Sequence, residues 1–135
     1  MSHHREPVTA LGAPAAVGPY SHAVRSGGLL FCSGQLPLDP ESGQLVGDSP
    51  GEQTRRCLEN LEVVCAAAGA VLGDAVRLTV YLTDMEAFGE VNEAFEERVT
   101  GESEHGGPPA RVTVGVAGLP KGAQVEIDAI VALPD

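Results

Sequence analysis

The stretch Pro109-Ala110-Arg111-Val112-Thr113-Val114, followed by Leu119-Pro120-Lys121-Gly122 and then Val125-Glu126-Ile127-Asp128, decides how this chain folds. Apolar and polar residues alternate on both sides of a Gly/Pro turn, the pattern of two strands with a short connection. A side-chain period of two sets Arg111 and Thr113 on one face and Val112, Val114 and Val116 on the other. On the second strand Glu126 and Asp128 oppose Val125, Ile127, Ala129 and Val131. The expectation is that Arg111 and Glu126 stand on the polar faces of neighbouring strands. A guanidinium is a two-pronged donor for a carboxylate, and a nearby glutamate can handle a water molecule.

The rest of the chain bounds what such a pair can do. With 135 residues it is read as one domain, 1–135, with residues 1–12 as a flexible tail. Hydrophobic residues make up 43% and aromatics 4%, so the core is aliphatic. A formal charge of −11 argues against nucleic-acid binding, which needs clustered Lys and Arg, and against an anionic membrane surface. An anionic substrate therefore needs a local positive spot, which turns attention to the few arginines. No stretch has the pattern of a signal peptide or the length of a membrane span. Cys32, Cys57 and Cys65 lack metal-ligand spacing, and no His/Asp/Glu group supplies it, so no metal is expected. Cys57 and Cys65 share a predicted helix at a separation of about 12 Å, too far for a bridge. The reading is a reduced, cytoplasmic protein.

Outward from the opening stretch, short strands are expected at about His22–Arg25 and Leu29–Ser33 around the turn Ser26-Gly27-Gly28. A loop follows over Leu36–Val46, with room for a short strand at Gln44–Val46. Helical spacing of Cys57, Leu58, Leu61, Val64, Cys65 and Ala68 predicts a helix over Gly51–Ala68, stopped at Gly69. Residues Ala75–Thr83 alternate, with Val76, Leu78, Val80 and Leu82 on one face. Thr83 or Asp84 caps a second helix with Phe88, Val91, Phe95 and Val99 as its buried stripe. Gly101–Gly107 reads as a flexible loop. The order ββ(β)αβαββ is an α+β domain, one sheet with two helices on one face. The opposite face carries Arg77, Thr79, Tyr81, Thr83, Arg111, Thr113, Glu126 and Asp128, too polar for a second helical layer but fit for water or a second copy.

Each candidate has a plain structural reading beside the chemical one. Arg111 and Glu126 read equally as a surface ion pair. Ser33, before Gly34-Gln35 at a strand end, is a ligand contact or a turn hydroxyl. Cys32 is a core thiol, Tyr20 reaches a pocket or covers the sheet edge, and Asn92 taken alone is a helix-surface amide. No glycine-rich phosphate or dinucleotide motif and no Gly-x-Ser-x-Gly elbow occurs. His22 and His105 bring no nucleophile partner.

Five segments in order resemble the Rid family of reactive intermediate deaminases, the YjgF-type or RidA-like proteins. They are Ala13–Ser21, Ser33-Gly34-Gln35-Leu36-Pro37, Val91-Asn92-Glu93-Ala94-Phe95, Pro109-Ala110-Arg111 and Leu119–Ala129, spread over Ala13 to Leu133. The resemblance implies a chorismate-mutase-like (bacillus-type) fold and a homotrimer with a central barrel and sites between subunits. It implies cofactor-independent hydrolysis of 2-imino or 2-enamino acids, such as 2-aminoacrylate and 2-iminobutyrate, to 2-oxo acids and ammonia. Arg111 would clamp the substrate carboxylate and Glu126 would position water. Tyr20, Ser33, Asn92 and Thr113 would bind or orient the substrate, Ser33 and Thr113 through their backbone. Thr113 stands where many members have Cys, and Pro108 where many have an aromatic residue. Three other readings remain open: a pathway-specific enamine hydrolase, a non-catalytic trimer sensing 2-oxo acids, and an endoribonuclease, the last opposed by the charge of −11.

Overall fold

The computed structural model describes residues 4–99 and 106–135. Six strands form one mixed sheet: β1 (Glu6–Val8), β2 (Ala23–Ser26), β3 (Leu29–Gln35), β4 (Ala75–Leu82), β5 (Ala110–Gly115) and β6 (Val125–Ala132). Their spatial order is β1-β2-β3-β6-β4-β5, antiparallel throughout except for β4 against β5. Two helices, α1 (Pro50–Ala67) and α2 (Phe88–Arg98), complete the α+β fold.

The helices form where the sequence places them. Ser49 caps α1, its hydroxyl accepting from Glu52 N at 3.2 Å, and Pro50 occupies the first turn, where no amide hydrogen is needed. Gly69, at φ +76°, ends it in the left-handed conformation. Glu90 of α2 ties the helices together: its carboxylate accepts from Gly51 N at 2.8 Å. Asp84 caps a short 3₁₀ turn at Met85–Ala87 rather than α2 itself. The core is aliphatic, built from Leu58, Leu61 and Val64 of α1 against Leu30, Leu78, Val80, Leu82, Val125, Ile127 and Val131 of the sheet.

Several expectations change. First, β5 and β6 are not neighbours, because β4 lies between them and pairs with both. β4 carries Leu78, Val80 and Leu82 in strict alternation and takes the interior position. β5, which starts after Pro108-Pro109, forms the edge. Second, β5 runs parallel to β4 in the register Leu78↔Arg111 and Val80↔Thr113. Directly paired residues share a face, so Arg111 and Thr113 point to the helix side. Val112 and Val114 point away from it and are 42% and 37% exposed. Third, a register shift between Ala75 and Arg77 leaves Val76 as an extra, exposed residue of β4. Fourth, residues 1–12 are not all tail, since Glu6–Val8 pairs with β2, and Val8 and Ala10 are buried. At Gln44–Val46 only an isolated bridge, Leu38↔Leu45, replaces the expected strand. Most of the Gly101–Gly107 loop, His105 included, lies outside the described residues.

Asn60 holds the segment after β3. Its buried amide donates to Leu36 O and Leu38 O, both at 3.0 Å. Asn60→Leu takes this donor from the buried Leu38 carbonyl, while Leu36 O keeps the Leu38 amide at 2.8 Å, and costs about 1–3 kcal/mol. Urea unfolding of the variant reads this directly as a lower midpoint with an unchanged slope.

Candidate active site

Arg111 stands on edge strand β5, half-buried, with its guanidinium carbon 5.0 Å from the centroid of the Phe95 ring and 5.6 Å from that of Phe88. Both rings belong to α2, seven residues or two turns apart. Asn92 occupies the turn between them and is half-buried. Thr113 follows on the same face of β5, beside Val80. Among the described residues no carboxylate lies within ion-pair distance of Arg111, and the expected Arg111–Glu126 pair does not form. Two acids of α2 close to the rings are turned elsewhere: Glu90 to Gly51 N and Glu97 to Arg55, at 2.7 Å.

Glu126 is on β6 and on the other face of the sheet, cross-strand from Tyr81. A register shift in β3 sets Ser33 and Gly34 against one residue of β6. The backbone of Gly34 thereby comes under the Glu126 side chain: a β-carbon there would sit 2.9 Å from the carboxyl carbon and from Oε2. Glycine in Ser33-Gly34-Gln35 thus lets the Glu126 carboxyl rest against bare backbone, and a larger residue would push it aside. Burial, and then the charge of Asp128, raise the Glu126 carboxyl above its ordinary range. Asp128 accepts from the Tyr81 hydroxyl at 2.9 Å. Burial and that bond hold the Tyr81 phenol above its ordinary value.

Tyr20 and Ser33 belong to the Glu126 side. The Tyr20 oxygen accepts from Val17 N at 3.1 Å, so its own hydrogen is still available. Ser33 donates its hydroxyl to Ser21 O at 2.7 Å and its amide to His22 O at 3.0 Å. It can therefore offer a ligand only acceptors. His22 is structural. Nδ1 accepts from Ala10 N at 3.0 Å and Nε2 donates to Pro14 O at 2.8 Å, which pins the chain leading to Tyr20. The crevice beside Tyr20, His22 and Gly34 has a volume of only about 10 Å³, room for a single water. A wider groove of about 740 Å³, between Gly73–Val76, Gly107–Ala110 and Ala132–Asp135, contains none of the six candidate residues. Its charged lining groups are the carboxylates of Asp74 and Asp135, wrong for an anion.

The six candidates thus fall into two groups on opposite faces. Arg111, Asn92 and Thr113 form one, and Tyr20, Ser33 and Glu126 form the other. β5 and β6 are two strand spacings apart, about 10 Å, and the sheet itself separates the groups. Sequence reasoning missed Phe88 and Phe95, taken only as helix core, and the close approach at Gly34. The available signal was scarcity, since the chain has three phenylalanines and two of them face one guanidinium.

The family model described as Endoribonuclease L-PSP matches residues 10–133. The chain belongs to the Rid family. A RutC family protein of Pyrococcus horikoshii is 44% identical over 126 residues, covering 93% of this chain and 96% of that one. A mouse Rid relative named 2-iminobutanoate/2-iminopropanoate deaminase is 43% identical over 126 residues, 93% of this chain and 90% of its own. The crystal structure of RidA from an Antarctic Psychrobacter matches with a TM-score of 0.86 at 40% identity, over 95% of this chain and 99% of that one. The mixed sheet with two helices is therefore the architecture of Rid proteins.

The raised Glu126 carboxyl has a consequence for stability. Burial favours its neutral form, so the cost of ionisation is absent below the ordinary carboxyl range and complete once pH passes the raised value. Glu126→Gln should accordingly raise the melting temperature at pH 7. The gain should shrink as pH falls into the carboxyl range, as thermal unfolding across a pH series would show.

Proposed function

We propose that this protein hydrolyses small 2-imino acids, and the 2-enamino acids that tautomerise to them, to 2-oxo acids and ammonia. The observation that carries the reading is Arg111: a half-buried guanidinium, unpaired among the described residues in a chain of charge −11, with its fork of N–H donors open to a carboxylate. Membership of the Rid family, and the mouse relative named as an imine deaminase, support the same chemistry.

The two half-sites fit an assembly in which one copy brings Arg111, Asn92 and Thr113 and the next brings Tyr20, Ser33 and Glu126. The face of the sheet away from the helices supports this. Phe31, Val112 and Val114 are 42%, 42% and 37% exposed there, and Ile130 shares that face with them. We propose a homotrimer in which three such faces enclose a barrel and three sites lie between subunits, in a cytoplasmic setting.

In that site Arg111 holds the substrate carboxylate. Ser33, with acceptors only, suits the N–H of a protonated imine. Glu126 takes a proton from water as the water oxygen bonds to C2 and the C2=N electron pair moves to nitrogen. The same carboxyl then delivers that proton to nitrogen and takes up the proton of the new C2 hydroxyl as its electron pair forms the C=O bond and the C–N bond breaks; ammonia leaves, carrying the proton away as ammonium, and the 2-oxo acid remains. A raised carboxyl is the better base for the first step. Positioning supplies most of the acceleration, because a protonated imine is already electrophilic.

The test generates 2-iminobutyrate in situ with a threonine dehydratase and follows its trapping by semicarbazide. Added protein should speed the loss of imine, and Arg111→Ala should abolish the effect while leaving the assembly intact. Full activity in that variant would sink the role of Arg111. No activity over several side-chain sizes would instead favour the 2-oxo-acid sensor. Ribonuclease activity is disfavoured by the charge; RNA cleavage that survives purification and disappears in Arg111→Ala would restore it.

Complementation tests the shared site. Arg111→Ala and Glu126→Gln chains, each inactive alone, should recover roughly a quarter of wild-type activity when refolded together, since random mixing gives that share of interfaces an intact half from each copy. No recovery in mixed trimers would place Arg111 and Glu126 in one chain's site.

A further inference from the structure

The proposed function requires Arg111 to be free, yet the chain around it is crowded with acids. α2 alone carries Glu90, Glu93, Glu96 and Glu97, and the whole chain has 19 acidic residues against 8 basic ones. The other arginines of the helical layer behave as this composition dictates: Arg55 pairs with Glu97, Arg56 with Glu59, and Arg98 with Glu59 and Glu62. Arg111 is the exception, because it rests on rings. Both centroids lie inside the 6 Å range in which a ring face attracts a cation.

We infer that Phe88 and Phe95 form an aromatic cradle that holds the Arg111 guanidinium in place for an anionic ligand while leaving its hydrogen-bond donors unoccupied. A carboxylate partner would fix Arg111 equally well, but would fill the fork that the substrate needs and add a like charge beside it. A ring face holds the cation without accepting its in-plane N–H bonds. The composition sharpens the point, since the core is otherwise almost wholly aliphatic. Phe95 is 5% exposed and backs the guanidinium from the interior. Phe88 is 38% exposed and flanks it at the surface, where packing alone gives no reason for a large ring. The two are positioning residues, for they act on the ligand only through Arg111. The inference rests on the deaminase reading and names the device that makes its carboxylate clamp available.

The experiment compares Phe88→Leu and Phe95→Leu with Phe88→Tyr and Phe95→Tyr in the full-length protein. Calorimetric titration with 2-oxobutyrate, the stable product, should show about 5- to 30-fold weaker binding in each leucine variant, matching about 1–2 kcal/mol of lost cation–ring attraction. The tyrosine variants, which keep the ring, should bind within about threefold of wild type. In the imine assay the leucine variants should raise KM by a similar factor while kcat holds within about twofold, since the rings never touch the reacting atoms. The Arg111 Nε–H resonance, shifted upfield by the rings in wild type, should move back toward that of a solvated arginine in both leucine variants.

Because Phe88 is partly exposed, Phe88→Leu keeps the fold even if Phe95→Leu loosens the core. Binding and KM unchanged in Phe88→Leu and in a folded Phe95→Leu would overturn the cradle while leaving the deaminase reading intact. So would tyrosine variants as impaired as the leucine ones. A wild-type Arg111 resonance without a ring shift would overturn it on geometry alone. A wild-type protein that neither binds 2-oxobutyrate nor consumes the imine, with the ring shift present, would overturn the deaminase reading and with it the 2-oxo acid as the cradle's ligand.

Discussion

The parallel pairing of β4 with β5 is the constraint on which the rest depends. Register Leu78↔Arg111 puts the guanidinium on the helix side, within reach of α2. A shift of one residue would turn Arg111 to the opposite face and Val112 inward. The register also explains the exposed valines: with Arg111 and Thr113 toward the helices, Val112 and Val114 must face outward. One alignment thus creates a cationic spot on one side of the edge strand and an apolar stripe on the other. A lone chain would leave the stripe in water. A second copy laid on it would bury that apolar surface and bring a new set of side chains to the edge where Arg111 waits.

Electrostatics explains why the two halves are kept apart within the chain. Were Arg111 and Glu126 on adjacent strands and one face, they would form an ion pair, and neither would be ready for a substrate. The sheet prevents this. Arg111 is left with rings, and Glu126 with Gly34 beneath it and Asp128 beside it. Both groups are less well satisfied than they would be in each other's company. Burial and a like charge raise the Glu126 carboxyl, a condition that suits the proton exchange proposed for it. The bulge at Ser33-Gly34 serves the same end, since it brings bare backbone to the carboxyl and occupies both donors of Ser33.

How much of this was legible in the residues depended on range. Local signals were read well. Gly27-Gly28 makes the β2–β3 turn, Gly69 ends α1, and Leu78, Val80 and Leu82 line the core. The alternation of residues 110–114 correctly put Arg111 and Thr113 together. It could not say which face was theirs, because the period of a strand carries no information about what lies on either side. Apolar Val112 and Val114 were assigned to the core on composition, and the parallel partner reversed the assignment. The neighbour relation was also beyond reach. A short connection argues for a hairpin, yet β4, some thirty residues earlier, takes the place between β5 and β6. Of the site, strand alternation points to Arg111 and Glu126 and the family pattern adds weight to Tyr20, Ser33 and Asn92, whereas the division of the six candidates into two groups required the three-dimensional register.

The same geometry bears on the two departures from the family pattern. Thr113 lies on the helix face beside Val80, two residues beyond Arg111 on the same strand. Its side chain accompanies the guanidinium, and within one chain the sheet separates it from Glu126. A hydroxyl of similar size fills the place that a thiol takes in many members of the family, beside the guanidinium and on the half that the proposed assembly sets against the next copy's Glu126. Pro108 lies before β5 in the groove that holds none of the candidates. A missing aromatic there leaves the Phe88–Phe95 platform untouched. Of the two departures, only Thr113 stands in the Arg111 group, and Pro108 lies outside both groups. The Gly34–Glu126 half, to which the proposed hydrolysis assigns the water, keeps its family residues Tyr20, Ser33 and Glu126.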